Sequence, residues 1–264
     1  MIEKKLQLPE IKHTAYSTLV FFDEYCKMHG LKYFLSNGTL LGAVKYCGFI
    51  PWDDDVDVLM PREDYDRFIK TYKDVKLYKL FSRERDPQYK YTYAKLCHMG
   101  TIKKECNIDN GVELGIDIDI FPLDYCSDHL LRNGMQRKMN IYQKACILSK
   151  FVSSKGKPLY KRLIIAVCKM LGFDFFCNRL SKLVKKESGK GTKYLGCLMW
   201  PIYGKKEIVP SQVFSDTIDV TFNDRTFPAP VGYHTYLQSL YGEYHLDPPL
   251  NKQKSHHLFE AYYK

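Results

Sequence analysis

Asp53-Asp54-Asp55-Val56-Asp57-Val58-Leu59-Met60 runs from carboxylates into apolar side chains. Successive side chains of an extended backbone point to opposite faces. A strand over 53–60 therefore puts Asp53, Asp55 and Asp57 on one face and Val56, Val58 and Met60 on the other, toward a core. Like-signed carboxylates on one face repel each other unless a cation lies among them. Mg²⁺ takes oxygen ligands in an octahedron and is commonly shared between one or two carboxylates and substrate phosphates. The acidic strand thus predicts a metal, and a metal held this way predicts a phosphate. A solvated acidic loop would not carry the interleaved Val56, Val58, Leu59 and Met60. An EF-hand needs Gly at its sixth position and Glu at its twelfth, where this chain has Val58 and Asp64.

Upstream, Ser36-Asn37-Gly38-Thr39 is a small polar turn before an apolar helix pattern, Leu40 to Val44. Backbone N–H groups and the positive dipole end at such a helix start suit a phosphate. Ser36, Gly38 and Thr39 are the candidates to grip it. Downstream, Gly115-Ile116-Asp117-Ile118-Asp119-Ile120 repeats the first pattern, with Ile116, Ile118 and Ile120 facing one way and Asp117 and Asp119 the other. If the two strands pair, their acid-lined faces coincide. The competing reading is a set of salt bridges on a solvated sheet face. Lys95 has two readings as well, a phosphate contact or a solvated lysine.

The stretch Gly38 to Lys45, followed after three residues by Phe49-Ile50-Pro51-Trp52-Asp53-Asp54-Asp55-Val56-Asp57-Val58-Leu59-Met60-Pro61, resembles the signature of the LicD family of phosphocholine transferases, related to fukutin and the fukutin-related protein. The run Ile118 to Asp124 resembles a second family motif. The resemblance implies an α+β, nucleotidyltransferase-like mixed sheet flanked by helices, with a helical insertion or appendage. It implies metal-dependent transfer of phosphocholine from CDP-choline to a hydroxyl of a cell-surface glycan precursor of the teichoic acid or lipopolysaccharide type, releasing CMP. By the same resemblance Asp55, Asp57 and Asp119 are the catalytic and metal-binding triad, with Mg²⁺ (Mn²⁺ as alternative) as cofactor. Asp53 and Asp117 stand second. Lys95 corresponds to a basic residue in a family strand, and Lys45 replaces an Arg, losing the bidentate grip. The C-terminal Tyr241-Gly242 and Pro248-Pro249 markers and the His256-His257 pair echo the family pattern. Choline calls for an aromatic wall, and Trp52 is the nearest candidate.

The chain has 264 residues, 45% hydrophobic and 14% aromatic, enough for a substantial core. Three parts are expected: a catalytic core over 1–150, a basic amphipathic helical segment over 151–190, and a C-terminal part over 191–264 that completes the catalytic domain. The N-terminus has no apolar signal pattern and no run of 18 apolar residues occurs, so a cytoplasmic protein is expected. Nine scattered Cys without C-x-x-C spacing suggest reduced thiols. The net charge of +10 suits an anionic partner.

Helices are expected over Pro9–His29, from Pro61, from an Asp128 cap to about Phe151, and over Leu159–Lys186 with a break at Gly172-Phe173-Asp174. The last, basic and apolar, reads as a helical pair on the core or as an interfacial helix at the inner face of an anionic membrane, with the core reading the safer. Tyr89, Tyr91 and Tyr93 read as a sheet face. The rival functions are transfer of another phospho-substituent or a nucleotidyl group to a sugar, small molecule or protein, a nucleic-acid binder that lacks any recognisable module, and a metal-stabilised membrane adaptor without turnover. No nucleic-acid partner is expected.

Overall fold

Leu8–His29 forms α1, opened by a reciprocal Gln7–Glu10 capping box. Its stripe of Ile11, Ala15, Leu19, Phe22 and Cys26 is buried, as the three-and-four spacing requires. The computed structural model describes residues 4–127, 135–189, 193–200, 202–255 and 258–264. The expected Asp128 cap and the His256-His257 pair lie outside them.

The architecture is α+β, a curled mixed sheet with helices around it. Strands β1 (Phe34–Leu35), β2 (Asp57–Pro61), β5 (Leu114–Cys126), β4 (Ala94–Glu105) and β10 (Phe259–Tyr263) lie side by side in that order, and β3 (Tyr78–Phe81) also pairs with β4. β2 and β5 are parallel, and the other neighbours are antiparallel. The end of β5 pairs with β6 (Tyr194–Gly196), which pairs with β7 (Val209–Pro210). β8 (Thr217–Phe222) and β9 (Arg225–Pro230) form a separate hairpin.

Helix α2 (Asn37–Tyr46) leads from β1 toward β2, and α3 (Arg62–Thr71) follows β2. Acids in the first turn of α3 suit the positive end of its dipole. One core gathers Leu19, Phe22, Leu35, Leu40, Met60, Phe68 and Leu96, all fully or almost fully buried. Val56, Val58, Leu59 and Met60 are all buried. The strict in–out alternation expected of β2 fails there because β2 lies inside the sheet, between β1 and β5, with apolar packing on both faces.

Tyr89, Tyr91 and Tyr93 precede β4 instead of forming a strand face. They pack as a buried row, successive centroids 5.4 Å apart. The chain turns at Asp86, and Lys90 N–H donates to the Asn110 carbonyl, so no ladder forms there.

Helices α4 (Met135–Ser149) and α5 (Leu159–Glu187) pack against each other, and α6 (Tyr233–Tyr241) lies near the end of the chain. At Gly172, α5 is interrupted by φ 80 and ψ 162, a conformation that suits glycine. The far end of α5 is tied to the sheet through Asp124. This fully buried carboxylate takes two hydrogen bonds from Arg62 at 2.8 and 2.7 Å and one from Ser188 at 2.7 Å. Asp124, the last residue of the second motif, is therefore a structural ion pair.

Candidate active site

The parallel register of β2 and β5 sets Asp57 directly opposite Asp119. Asp119 N–H donates to the Val56 carbonyl at 2.8 Å. The first turn of α2 is stitched to the same point. Asp57 N–H donates to Thr39 Oγ1 at 2.8 Å, and Ser36 N–H donates to the Asp57 carbonyl at 3.1 Å. A helix N-terminus thereby stands beside the start of a carboxylate-bearing strand.

Asp57 is buried, and burial pushes its carboxyl pKa well above the usual range. The neighbouring carboxylates of Asp55, Asp119 and Asp53 add to that push, and a hydrogen bond from the Asn37 side chain opposes it. Asp55 and Asp119 therefore both lie close enough to Asp57 to act on its carboxyl.

The strand begins at Asp57, four residues later than the alternation suggests. Lys12 Nζ donates to the Ile50 and Pro51 carbonyls at 3.0 and 2.9 Å, and Asp53 N–H closes a turn onto Ile50 at 3.0 Å. This turn keeps residues 53–56 out of the ladder. Asp54, which alternation would send to the far face, instead joins Asp53 and Asp55, with one oxygen from each within 4.8 Å of the others. A donor set of hard carboxylate oxygens fits Mg²⁺ or Mn²⁺. The residues able to hold a cation are thus Asp53, Asp54 and Asp55, with Asp57 and Asp119 alongside.

On β4, opposite Asp119, stands Lys95. It is only 3% exposed, which excludes a solvated lysine. Its ammonium bonds both Asp117 and Asp119, and Lys103 Nζ reaches Asp117 at 2.7 Å. Tyr93 OH donates to the other Asp119 oxygen at 3.1 Å. Burial would raise the Asp117 pKa, but Lys103 and Lys95 outweigh it and hold Asp117 below the usual carboxylate range. Asp119 goes the other way: burial pushes it up to about 6 against the pull of Lys95, with Asp117 adding to the rise.

Residues 30–163 match the LicD/FKTN/FKRP nucleotidyltransferase domain. The chain belongs to this family. It is 28% identical to the lipopolysaccharide cholinephosphotransferase LicD of Haemophilus influenzae, over 98% of this chain and 99% of that protein. Shorter matches join it to uncharacterised proteins of two Rickettsia species. One, in Rickettsia typhi, is 37% identical over 62 residues, 23% of this chain and 20% of that protein. The other, in Rickettsia prowazekii, is 46% identical over 41 residues, 16% of this chain and 15% of that protein.

In this LicD-family transferase the turn before α2 has one uncommitted group. Ser36 is fully buried, its side chain makes no capping bond, and its Oγ has no hydrogen-bond partner among the described residues. A Cβ at Gly38 would come within 2.8 Å of Asp53 Oδ2, so any side chain there would push into the acid cluster. Lys45 pairs with exposed Asp247 at 2.5 Å. Trp52 stands edge-on to Tyr46 at 6.3 Å.

Two further residues escape the sequence reading. Asn37 adopts φ 45, accepts Tyr236 OH at 3.0 Å and bonds Asp57. The tolerance of Asn for the left-handed region, here at the first residue of α2, was the available signal. Glu207 is buried, accepts Tyr203 N–H at 2.6 Å, and has its carboxyl pushed up to about 8 by burial. Nothing in the sequence around it announces a buried acid. Tyr203 and Tyr241 pack edge-to-face at 5.6 Å, and Asp57 acts electrostatically on both. A cavity of about 870 Å³ lies at the opposite end of β2 and β5, lined by Tyr33, Arg62, Tyr125 and Phe214, away from Asp57.

Glu207 yields a pH prediction. A carboxyl with a folded pKa above its unfolded value binds more protons folded than unfolded, so its contribution is full below about 4.5 and is lost as pH rises to about 8. The melting temperature of Glu207→Gln should exceed that of the native chain at pH 8–9, by an amount worth a few kcal/mol, and the gap should close toward pH 5. Melting curves across that range check it.

Proposed function

We propose that this chain transfers phosphocholine from CDP-choline to a hydroxyl of a cell-surface glycan precursor and releases CMP. The observation that carries the reading is the meeting of the acid-bearing strands at Asp57 and Asp119, beside the N-terminus of α2 with its unpaired Ser36 hydroxyl. The activity for which the full-length Haemophilus relative is named points to the same cargo and to a lipopolysaccharide acceptor. A nucleotide donor and nine free cysteines are in keeping with action in the cytoplasm.

Each residue has a part in this reading. Asp55, Asp57 and Asp119, with Asp53 and Asp54, hold Mg²⁺ or Mn²⁺, and the bound ion supplies charge neutralisation for the diphosphate and the departing CMP. Ser36 Oγ and the first amides of α2 donate hydrogen bonds to a donor phosphate. Asp119 takes the proton of the attacking hydroxyl as general base. The acceptor oxygen bonds to the choline-bearing phosphorus as the bond to the bridging oxygen breaks. Lys95 positions Asp119 from behind. Trp52 or the Tyr203–Tyr241 pair supplies the aromatic wall for the quaternary ammonium.

Calorimetric titration of CDP-choline tests the donor. Binding with Mg²⁺ that vanishes with chelator, and in Asp55→Asn/Asp57→Asn, is expected. Absence of binding to folded protein under every condition overturns the assignment, and release of pyrophosphate in place of CMP would mark nucleotidyl transfer. Ser36→Ala should weaken CDP-choline binding about tenfold, the scale of a hydrogen bond to a charged group. It should leave the melting temperature of the free protein unchanged or higher, because the deleted hydroxyl is buried and unpaired.

A further inference from the structure

The first half of α5 is amphipathic in an unusual sense: its apolar side is outside. Leu159 is 70% exposed, Leu163 60%, Val167 51% and Met170 78%. Tyr160, Ile164 and Leu171 extend the same surface. At 3.6 residues per turn these positions sweep about 140° of arc over a length of about 18 Å. The opposite side holds Ile165 and Cys168, both buried, and Cys168 packs with Ala145 and Cys146 of α4. Beyond the break at Gly172 the pattern reverses, and Phe173, Phe176, Cys177 and Leu180 are buried. The core reading of the segment therefore holds for its second half and fails for its first.

The charge pattern says what suits the exposed face. Residues 129–173 contain no Asp or Glu, while Lys155, Lys157, Lys161, Arg162 and Lys169 flank the apolar arc. Two copies docked through this face would bring those like charges together. An anionic lipid surface satisfies both features at once: apolar side chains enter the headgroup–acyl boundary while the basic side chains meet anionic headgroups. No described helix is long and apolar enough to cross a membrane.

We propose that residues 159–171 dock the protein in the plane of an anionic lipid bilayer. The inference does not depend on which donor the active site uses.

Co-sedimentation with vesicles tests it, comparing pure phosphatidylcholine with a three-to-one mixture of phosphatidylcholine and phosphatidylglycerol. The native chain is expected to bind the mixed vesicles, less tightly as salt rises. Lys161→Gln/Arg162→Gln should lose about fivefold in affinity for each charge removed. Leu163→Glu/Val167→Glu should lose binding at least about tenfold while keeping the native circular dichroism and melting temperature, since both positions are exposed. The proposal is overturned by equal vesicle binding of the native and Leu163→Glu/Val167→Glu chains, by failure of the native chain to bind either vesicle, or by a dimer in sedimentation equilibrium that the double substitution dissociates.

Discussion

Asp57→Asn is expected to cut CMP release by about 10²- to 10³-fold, the scale seen when one group that stabilises transition-state charge is removed. It should also raise the melting temperature of chelator-treated protein at neutral pH. The two effects have one cause. Burial and the Asp55, Asp119 and Asp53 carboxylates raise the folded pKa of Asp57. Its contribution to stability is therefore present at low pH and lost as pH rises through that raised value. An Asn carries no charge to bury, so its advantage should shrink as pH falls into the ordinary carboxylate range. Mg²⁺ should reverse the order at neutral pH by stabilising the native chain alone. Thermal melts with chelator and with Mg²⁺, beside CMP release, read all of this. A metal-stabilised adaptor would show the stability changes with no turnover to lose, whereas unchanged turnover in Asp57→Asn would remove Asp57 from the chemistry.

Lys95→Met should cost about 3–5 kcal/mol, as expected when one partner of a buried ion pair is deleted. For a chain of this size that corresponds to a fall in melting temperature on the order of 10 °C. The reason is local. Asp117 and Asp119 share the Lys95 ammonium, and Asp117 is left with Lys103 when Lys95 is gone. Asp119 would lose the cation that holds its pKa down to about 6, so the acid limb of the rate–pH profile should move upward. Adding Asp119→Asn to Lys95→Met should recover part of the stability, because the carboxylate left without its cation is withdrawn with it while Asp117 keeps Lys103. An unchanged melting temperature in Lys95→Met would show that the network carries little of the fold's stability.

Much of the site was legible before any coordinates. Acids interleaved with Val and Ile marked two strands, and the Ser36–Thr39 turn ahead of apolar residues marked a helix start. The family signature lies in the same residues. Tertiary contacts overrode local period at two places. The Lys12 contacts to Ile50 and Pro51 delay β2 to Asp57 and bring Asp54 to the acid side. The tyrosine row before β4 stays out of any ladder despite its alternation.

The amino-acid order by itself determined which segments become amphipathic helices, where carboxylates sit along each strand, and where a small polar turn opens a helix beside them, because these follow from periods of two and 3.6 and from local capping. Only the tertiary structure decided that Asp57 stands opposite Asp119, that Lys95 is buried between Asp117 and Asp119, and that the stripe of α5 points to solvent before Gly172 and to α4 after it. Each joins residues distant in the chain or depends on what a neighbouring element covers. Local propensity carries no record of strand register or of a partner's face, since both are set by how the whole sheet and helix pair bury their apolar surface.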